Sequence, residues 1–344
     1  MTDLAGPTAP PIQAIAPSVP NPPVIEGLRF RALVTPTDFP EIAHLRNRCS
    51  EADGLSGRAT ADEMANWMSA SEHFDPTRDA LLAEVDGRLV AATSGGWEPD
   101  SDGGQNFATR GDVDPAWRRR GLGTAMLHWM EARQRQVAAA APPASPRRLE
   151  SWGYDQEAGR NALLEANAYR VVRYWFEMDR PDLEDIPEAP LPNGFAFSPA
   201  REEDNREAWD VTRAAFRDHF GGFDDSEDGY RHFLNDPNRD LRQWVLVRHQ
   251  GRIVGEALNR IRHGENEALG VRRGWVIAVG VLPEFQRRGI GRAIVAQSLR
   301  QFRDAGLTSA RLGVDAENAH GALGLYESLG FSVVERGRIY RKPL

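Results

Sequence analysis

The sequence predicts an α/β protein in which one mixed-sheet domain occurs twice. Apolar, strand-like runs alternate with amphipathic helical segments, which indicates helices packed on a mixed sheet. Four landmarks also recur in the same order at spacings of 162 to 168 residues, which indicates an internal repeat. The clearest landmark aligns VDPAWRRRGLGTAM, which starts at Val113, with VLPEFQRRGIGRAI, which starts at Val281.

The residue composition of the N-terminal segment and of the segment between the two copies indicates where each domain begins and ends. The first 25 residues contain seven prolines and neither lysine nor arginine, so they lack the pattern of a signal peptide. We expect a disordered, proline-rich tail over 1–27, an N-terminal domain over 28–180, a linker over 181–193 and a C-terminal domain over 194–344. The predicted linker is rich in proline and acidic residues.

The second copy gives the clearer element order. RQWVLVRH and GRIVGEALNRI predict two strands, and WVIAVGV predicts a buried third. A glycine turn leads to a helix that ends at Gly306 and buries one apolar face, formed by Val295, Leu299 and Phe302. ARLGV predicts the next strand, Asn318 is the expected N-cap of a last helix that ends at Gly330, and FSVVERGRIYR predicts a final strand or hairpin.

Charge and residue usage exclude several function classes. The formal net charge of −8 disfavours a nucleic-acid partner, and no run is apolar enough to cross a membrane. The single cysteine, Cys49, allows no intrachain disulfide and fits a reducing, cytoplasmic compartment. The single lysine, Lys342, disfavours P-loop, kinase and Schiff-base chemistry. The histidines lack the spacing of a zinc helix, so we expect no metal.

The glycine turn has the composition of an anion site. Gly289 and Gly291 let the backbone approach a ligand closely, and the amides of the turn and of the following helix can bind a pyrophosphate. Positive charge around the turn comes from Arg287, Arg288 and Arg292.

The order Val281-x-Pro283, Gln286-x-x-Gly289-x-Gly291, helix, strand, Asn318 and LYESLGF resembles the acetyl-CoA-binding core of the GNAT superfamily of N-acetyltransferases. The pattern covers most of each half. The resemblance implies two tandem GNAT folds, each with a mixed, mostly antiparallel sheet flanked by helices, and acetyl-CoA as the cofactor. The coenzyme contacts that it implies in the C-terminal half are Val279, Val281, Gln286, Arg287, Arg288, Gly289, Ile290, Gly291, Arg292 and Asn318.

The resemblance also implies a reaction in which an amine attacks the thioester directly. A backbone amide near Val281 is the expected oxyanion donor. Tyr326 matches the tyrosine that protonates the leaving thiolate in this family. Several relatives carry a glutamate base eleven residues before the motif glutamine, where this sequence has Trp275. Glu256, His219 and a water chain are therefore alternative routes for removing the amine proton.

The expected acceptor is a small-molecule amine. The segment HFGGFDDSEDGY from His219 contains four acids within five residues, which can attract a cationic amine or simply form a solvated loop. Bacterial tandem acetyltransferases of the mycothiol-synthase type also carry two such domains, although Trp275 departs from their acidic pattern. A noncatalytic acyl-CoA-binding protein and a tRNA-dependent aminoacyl transferase remain alternatives. We expect a monomer or a homodimer.

The N-terminal copy has diverged from the pattern. It keeps a possible pyrophosphate site at Arg118, Arg119, Arg120, Gly121 and Gly123. Leu164 and Gln156 stand where the second copy has Tyr326 and Asn318, and FATRGDV replaces the apolar third strand with a sequence expected to interrupt it. We therefore expect one active centre, with either one or two coenzyme sites, unless Tyr154 or Tyr169 acts as the acid in the first copy.

Overall fold

The computed structural model describes residues 17–217, 219–221, 226–317 and 321–344. The N-terminal half contains, in chain order, β1 (Leu28–Arg31), α1 (Phe39–Ala52), α2 (Ala61–Trp67), β2 (Ala80–Val85), β3 (Arg88–Pro99), β4 (Gln105–Val113), α3 (Leu122–Ala140), β5 (Arg147–Tyr154), α4 (Ala158–Ala166) and β6 (Arg170–Arg180).

The C-terminal half repeats this order with an additional helix before its central strand, which is broken in two. Its elements are β7 (Phe195–Ser198), α5 (Asn205–Ala215), α6 (Glu227–Leu234), β8 (Val245–His249), β9 (Arg252–Ala257), α7 (His263–Leu269), β10 (Arg273–Val276), β11 (Gly280–Val281), α8 (Ile290–Asp304), β12 (Ser309–Asp315), α9 (Ala322–Glu327) and β13 (Ser332–Pro343).

The strands form two sheets, and the larger one is shared by both halves. Its nine strands are ordered β1-β2-β3-β4-β5-β13-β6-β12-β10, and the smaller sheet is ordered β11-β9-β8-β7. Only the pairs β4–β5 and β10–β12 are parallel among the named strands. The mixed, mostly antiparallel sheet with flanking helices confirms the predicted fold class.

The final strands of the two halves are exchanged. The last N-terminal strand, β6, lies between β13 and β12, and the last C-terminal strand, β13, lies between β5 and β6. Each half therefore supplies a strand to the sheet of the other. A sequence repeat predicts equivalent strands but does not specify their partners, because side-chain alternation is the same whichever neighbour a strand pairs with.

Helix α8 joins the two sheets of the C-terminal half. Val295, Leu299 and Phe302 are buried, as predicted, in a core that also contains the apolar residues of β10 and β12. At the N-terminal end of the helix, Ile290 and Ile294 are buried against the smaller sheet instead. The beginning of α8 therefore lies where the two sheets separate.

Three segments differ from the sequence-based picture or refine it. WVIAVGV forms two short strands rather than one, whereas FATRGDV is part of an uninterrupted strand, so both predictions about these segments were wrong. Of the predicted tail, residues 1–16 lie outside the described residues, and Val19 and Ile25 pack against the N-terminal core. The predicted domain limits remain predictions. No helix in the described ranges is long and apolar enough to cross a membrane.

Candidate active site

The broken strand of the C-terminal half opens a gap in the sheet. Its first part, β10, pairs in parallel with β12 as far as Val276 opposite Leu312. Ala278 then adopts a left-handed backbone with φ 46°, and β11 pairs with β9 instead. Beyond Leu312, strand β12 consequently has no described strand partner on this side.

Backbone groups of β11 point into this gap. Gly280 and Leu282 direct their peptide groups toward β9. Because successive residues of an antiparallel strand direct these groups to opposite edges, Val281 directs its groups toward the gap, and Val279 lies just before the paired residues of β11. The Val281 carbonyl accepts a hydrogen bond from Gln286 Nε2 at 3.0 Å. An extended ligand such as a pantetheine arm can pair with an edge of this kind.

The turn after β11 has the backbone of an anion site. Arg287 and Gly289 have positive φ angles of 58° and 83°, whereas Gln286 is extended, and α8 begins at Ile290 with Gly291 in its first turn. This alternation brings successive amides to one side, where they add to the unpaired amides of the helix N-terminus. Outside the adjoining residues, no described atom lies within 4 Å of a Cβ placed on Gly289, so the turn is open to a ligand.

The side chains around the turn have different roles. Arg287 and Arg288 are exposed, and Arg292 donates to the Ser328 hydroxyl on the loop after α9. The side chain of Ile290 is buried in the core, so only its amide can contribute to coenzyme binding. The arginines thus add positive charge at a position where the backbone supplies the hydrogen bonds.

Tyr326, the expected acid, lies on α9 with its ring 6.1 Å from that of Phe331. Val279 and Tyr326 both pack against the apolar cluster that contains Leu312 of β12. Burial raises the pKa of Tyr326 to about 12, so the hydroxyl is protonated at neutral pH. Its hydroxyl has no hydrogen-bond partner within the described part of the chain. Asn318, the other expected contact from this region, lies outside the described residues.

Glu256 lies beside β11. Its side chain is fully buried, and the Thr212 hydroxyl donates to Oε1 at 2.9 Å. Oε2 has no hydrogen-bond partner among the residues that the structure describes. Burial raises the pKa of this carboxyl well above its ordinary value. A Cβ on Gly280 would clash with Oε1, so the glycine makes room for the carboxyl above β11.

His219, the other candidate side chain for the base, and Trp275, which replaces the glutamate of the relatives, both have local partners. His219 follows α5, and its Nδ1 lies 2.9 Å from the Phe220 carbonyl oxygen. Trp275 is part of a buried ion cluster, in which its indole Nε1 donates to Glu265 at 2.7 Å. Of the acidic segment after His219, residues 218 and 222–225 lie outside the described residues. Glu256 is therefore the candidate that lies beside the gap with an unpaired oxygen.

The corresponding gap of the N-terminal half contains an ion cluster. Strand β4 pairs with β5 only as far as Ala108 opposite Glu150, and the two strands then separate. Arg160, from α4, bridges this space to Asp112 of β4 at 2.8 Å and also binds Glu157 at 2.9 Å. Burial opposes ionisation of Asp112, but Arg160 and neighbouring arginines outweigh it and hold the pKa below its ordinary value.

The N-terminal glycine turn has the same backbone conformation as the C-terminal one, but different residues surround it. Arg119 and Gly121 have φ angles of 62° and 87°, which match their C-terminal counterparts. Arg118, however, forms a bidentate ion pair with Asp53 at 2.6 and 2.8 Å. A Cβ on Gly121 would lie 3.2 Å from Pro23, so the N-terminal segment covers part of this turn. Arg120 and Gly123 also lie at this turn, and the Arg120 guanidinium packs 4.7 Å from the Trp117 ring.

The tyrosines proposed as substitutes in the first copy have other surroundings. Leu164 is buried in the core, so the position equivalent to Tyr326 offers no hydroxyl. Tyr169 is buried in the same cluster, and burial raises its pKa. Tyr154 donates to Glu177 on β6 at 3.3 Å.

Sequence reasoning missed Glu177. This residue lies where the exchanged strands meet, opposite Gly313 of β12 and Glu335 of β13. Burial, followed by repulsion from Glu335 and Asp179, raises its pKa to about 7 despite the attraction of Arg311. No local pattern marks this glutamate, because its neighbours come from strands far away in the sequence.

Comparisons with known proteins agree with this geometry. The profile of the family described as the acetyltransferase (GNAT) family matches residues 39–141 and 205–331. The chain is 30% identical over 306 residues to a mycothiol acetyltransferase of Salinispora tropica, with 87% of this chain and 93% of that protein covered. It is 31% identical over 270 residues to a mycothiol acetyltransferase of Thermomonospora curvata, with 77% and 82% covered.

Solved structures show the same fold along nearly the whole chain. A GCN5-related N-acetyltransferase from Sphaerobacter thermophilus superposes with a TM-score of 0.70 at 26% identity, covering 95% of this chain and 97% of that one. A tandem GNAT protein from the clavulanic acid biosynthesis pathway superposes with a TM-score of 0.66 at 16% identity, covering 92% and 98%. The second likeness concerns the fold alone. Within the described ranges no group of three or more histidine, cysteine or acidic side chains can hold a metal ion.

Proposed function

The chain belongs to the acetyltransferase (GNAT) family and is an acetyl-CoA-dependent N-acetyltransferase, and we propose that the C-terminal half acetylates a primary amine of a small molecule. We further propose that the amine attacks directly while both substrates are bound. The contrast between the two gaps supports this assignment. The C-terminal gap has an open anion turn and a nearby carboxyl, whereas arginine and carboxylate side chains occupy the N-terminal gap.

The residues of the C-terminal gap fit the coenzyme. The turn at Gly289 is open and rich in amides that can hold a pyrophosphate, and the edge at Val279 and Val281 can pair with an extended arm. When bound, acetyl-CoA supplies an acyl group activated as a thioester. Holding the amine beside it would supply part of the rate through proximity and orientation.

Three groups of the chain would then serve the transfer. Glu256 takes the proton of the attacking amine, since its pKa is raised by burial and one of its oxygens is unpaired. The Val281 amide faces the gap and stabilises the negative charge that develops on the acyl oxygen. Tyr326 keeps its proton at neutral pH and donates it to the leaving sulfur.

The relatives suggest which amines to test first. The curated relatives that match most of this chain are named mycothiol acetyltransferases, so an amine of the mycothiol type should be the first acceptor tested. Aminoglycosides, polyamines and amino-acid derivatives extend the set of amines, because the segment from His219 is rich in acidic residues.

Thiol release from acetyl-CoA, measured with each amine, tests the proposal. We expect turnover with at least one small amine, an N-acetylated product by mass spectrometry, and initial-velocity lines that intersect when both substrates are varied. Parallel lines would contradict direct attack in a ternary complex. Tight coenzyme binding without turnover of any amine would favour a noncatalytic acyl-CoA-binding protein.

A further inference from the structure

The N-terminal half contains a cavity that the proposed function does not use. Its volume is about 590 Å³, within the range of small-molecule sites. The cavity lies between helices α1 and α2 and strands β3 and β4, and all but two of its lining residues belong to the N-terminal half. It is therefore separate in sequence from the C-terminal gap, to which we assign the chemistry.

Aromatic rings form much of the cavity wall. His73 and Trp97 pack with their ring centroids 3.9 Å apart. Trp67, Phe74 and Trp152 also line the space. Such walls favour a flat, apolar ligand body, because aromatic faces bury a large area with a defined geometry.

A buried cation also faces this cavity. The side chain of Arg110 is only 10% exposed, and its one hydrogen bond to the described residues joins Nη2 to Glu157 at 3.3 Å. Nε and Nη1 of the same guanidinium are buried and have no hydrogen-bond partner in the described part of the chain. Buried donors without acceptors are rare and destabilising, so a ligand that supplies acceptors would be stabilised here.

The acidic side chains that line the cavity have partners of their own. Asp112 is bridged by Arg160, Glu150 binds Arg341 at 2.7 Å, and Glu98 also has an interaction partner. Burial and repulsion from two other arginines lower the pKa of Arg110 to about 10, so it is charged at neutral pH.

We propose that this cavity is a noncatalytic binding site for a small anion, a carboxylate or a phosphate carried on a flat apolar body. The anion accepts hydrogen bonds from Nε and Nη1 of Arg110, and the body packs against Trp97 and Trp152. The Arg160–Asp112 bridge occupies the adjoining gap, so this ligand is not positioned for acyl transfer in its own half.

Three naphthyl probes test the proposal on the full chain. Naphthalene-2-carboxylate and 2-naphthyl phosphate carry the anion, and naphthalene-2-methanol is the neutral control of matched shape. Calorimetry, together with quenching of tryptophan fluorescence, gives the affinities. We expect at least one anionic probe to bind at least tenfold more tightly than the alcohol, and the ratio of the two anions distinguishes carboxylate from phosphate.

Two variants locate the site. Arg110→Met should lower the affinity for the anionic probe to that for the alcohol. The affinity for the alcohol and the rate of acetyl transfer should stay within twofold of their wild-type values. Arg46→Met removes a second, half-buried cation from the cavity wall, and it should lower the affinity for the anionic probe several-fold. If Arg110→Met does not fold, Arg46→Met alone decides.

Several results would overturn the proposal. These are equal binding of anion and alcohol, no binding at millimolar concentrations, and unchanged anion affinity in the folded Arg110→Met protein. Where that variant does not fold, unchanged anion affinity in Arg46→Met counts against the site. Competitive displacement of the naphthyl anion by coenzyme A would assign the cavity to the coenzyme instead.

Discussion

Replacement of Gly289 by valine tests the anion turn against a closely matched control. Gly289 has φ 83°, and a Cβ placed there has no described atom within 4 Å apart from those of the adjoining residues. Gly306, just after α8, has φ 81° and equally open surroundings. A Cβ at either position meets no described atom outside the neighbouring residues, so we expect each substitution to destabilise the fold mainly through its left-handed backbone, by about 1–2 kcal/mol. Only Gly289 belongs to the turn.

The expected effects on coenzyme binding therefore differ between the two variants. Hydrogen bonds from amides to a charged group contribute about 1.5–3 kcal/mol each, so displacing one of them lowers affinity about 10- to 100-fold. We expect this loss for Gly289→Val and less than a twofold change for Gly306→Val. Calorimetric titration with coenzyme A measures the affinities, and thermal unfolding checks that both variants are destabilised equally.

Two outcomes would refute this reasoning. Unchanged coenzyme affinity in a folded Gly289→Val protein would mean that the turn does not hold the pyrophosphate. Equal losses in both variants would mean that backbone strain alone weakens binding, without any direct contact at the turn.

Four further predictions address the chemistry and the two halves. Tyr326→Phe should lower kcat about 100-fold or more with coenzyme affinity unchanged, because the hydroxyl acts on the leaving sulfur; an unchanged kcat in steady-state assays would make it a packing residue. Glu256→Gln should abolish the acidic limb of the pH–rate profile. Thr212→Val removes the hydrogen bond that lowers the pKa of that carboxyl, so it should move the acidic limb to higher pH. An unchanged limb would mean that the limb does not report the ionisation of Glu256. Gly121→Val should leave turnover nearly unchanged, and its loss in a folded protein would place the chemistry in the N-terminal half. Glu177→Gln should flatten the pH dependence of the free energy of unfolding measured with urea. Because the pKa of Glu177 is raised in the folded state, the wild type should lose roughly 3 kcal/mol of that free energy as the pH rises from about 4.5 through about 7. The variant should therefore be as stable as the wild type at pH 5 and more stable at pH 8, and parallel stability curves would contradict the raised pKa.

Local features of the site could be predicted from the sequence. The two glycine turns have nearly the same backbone angles, because a residue such as Gly121 or Gly289 fixes the left-handed geometry within a few positions. The apolar face of α8 was equally visible, since helical periodicity repeats every three to four residues. These features are determined by residues that are close in the sequence, and the repeat allowed the two copies to be compared.

Long-range features could not be predicted in this way. The exchange of β6 and β13 depends on which strands pair, and side-chain alternation does not encode the partner. Glu177 becomes a buried carboxyl only because that exchange surrounds it with β12 and β13. The break at Ala278 was missed for a related reason, since an apolar run such as WVIAVGV gives no sign of the point at which the chain changes from one sheet to the other.

The two halves use one cross-strand position in opposite ways, and this explains why only one of them suits proton transfer. In the C-terminal half Glu256 pairs with Gly280, and in the N-terminal half Ala92 pairs with Asp112, so each pair carries one carboxylate beside the gap. Among the described residues only the Thr212 hydroxyl forms a hydrogen bond to the Glu256 carboxyl, and burial raises the pKa of this carboxyl, which makes it a stronger base once ionised. Arginines stabilise the ionised Asp112, and a carboxylate held in that way is a weak base.

This difference is difficult to reverse by single substitutions. Removing Arg160 to reopen the N-terminal gap would leave Asp112 and Glu157 buried without their main partner, and breaking such a pair typically destabilises a protein by about 3–5 kcal/mol. That loss is a large part of the stability of an ordinary domain. The ion cluster that occupies the gap thus also maintains the fold of the half, and a return to catalysis would require several coupled changes at once.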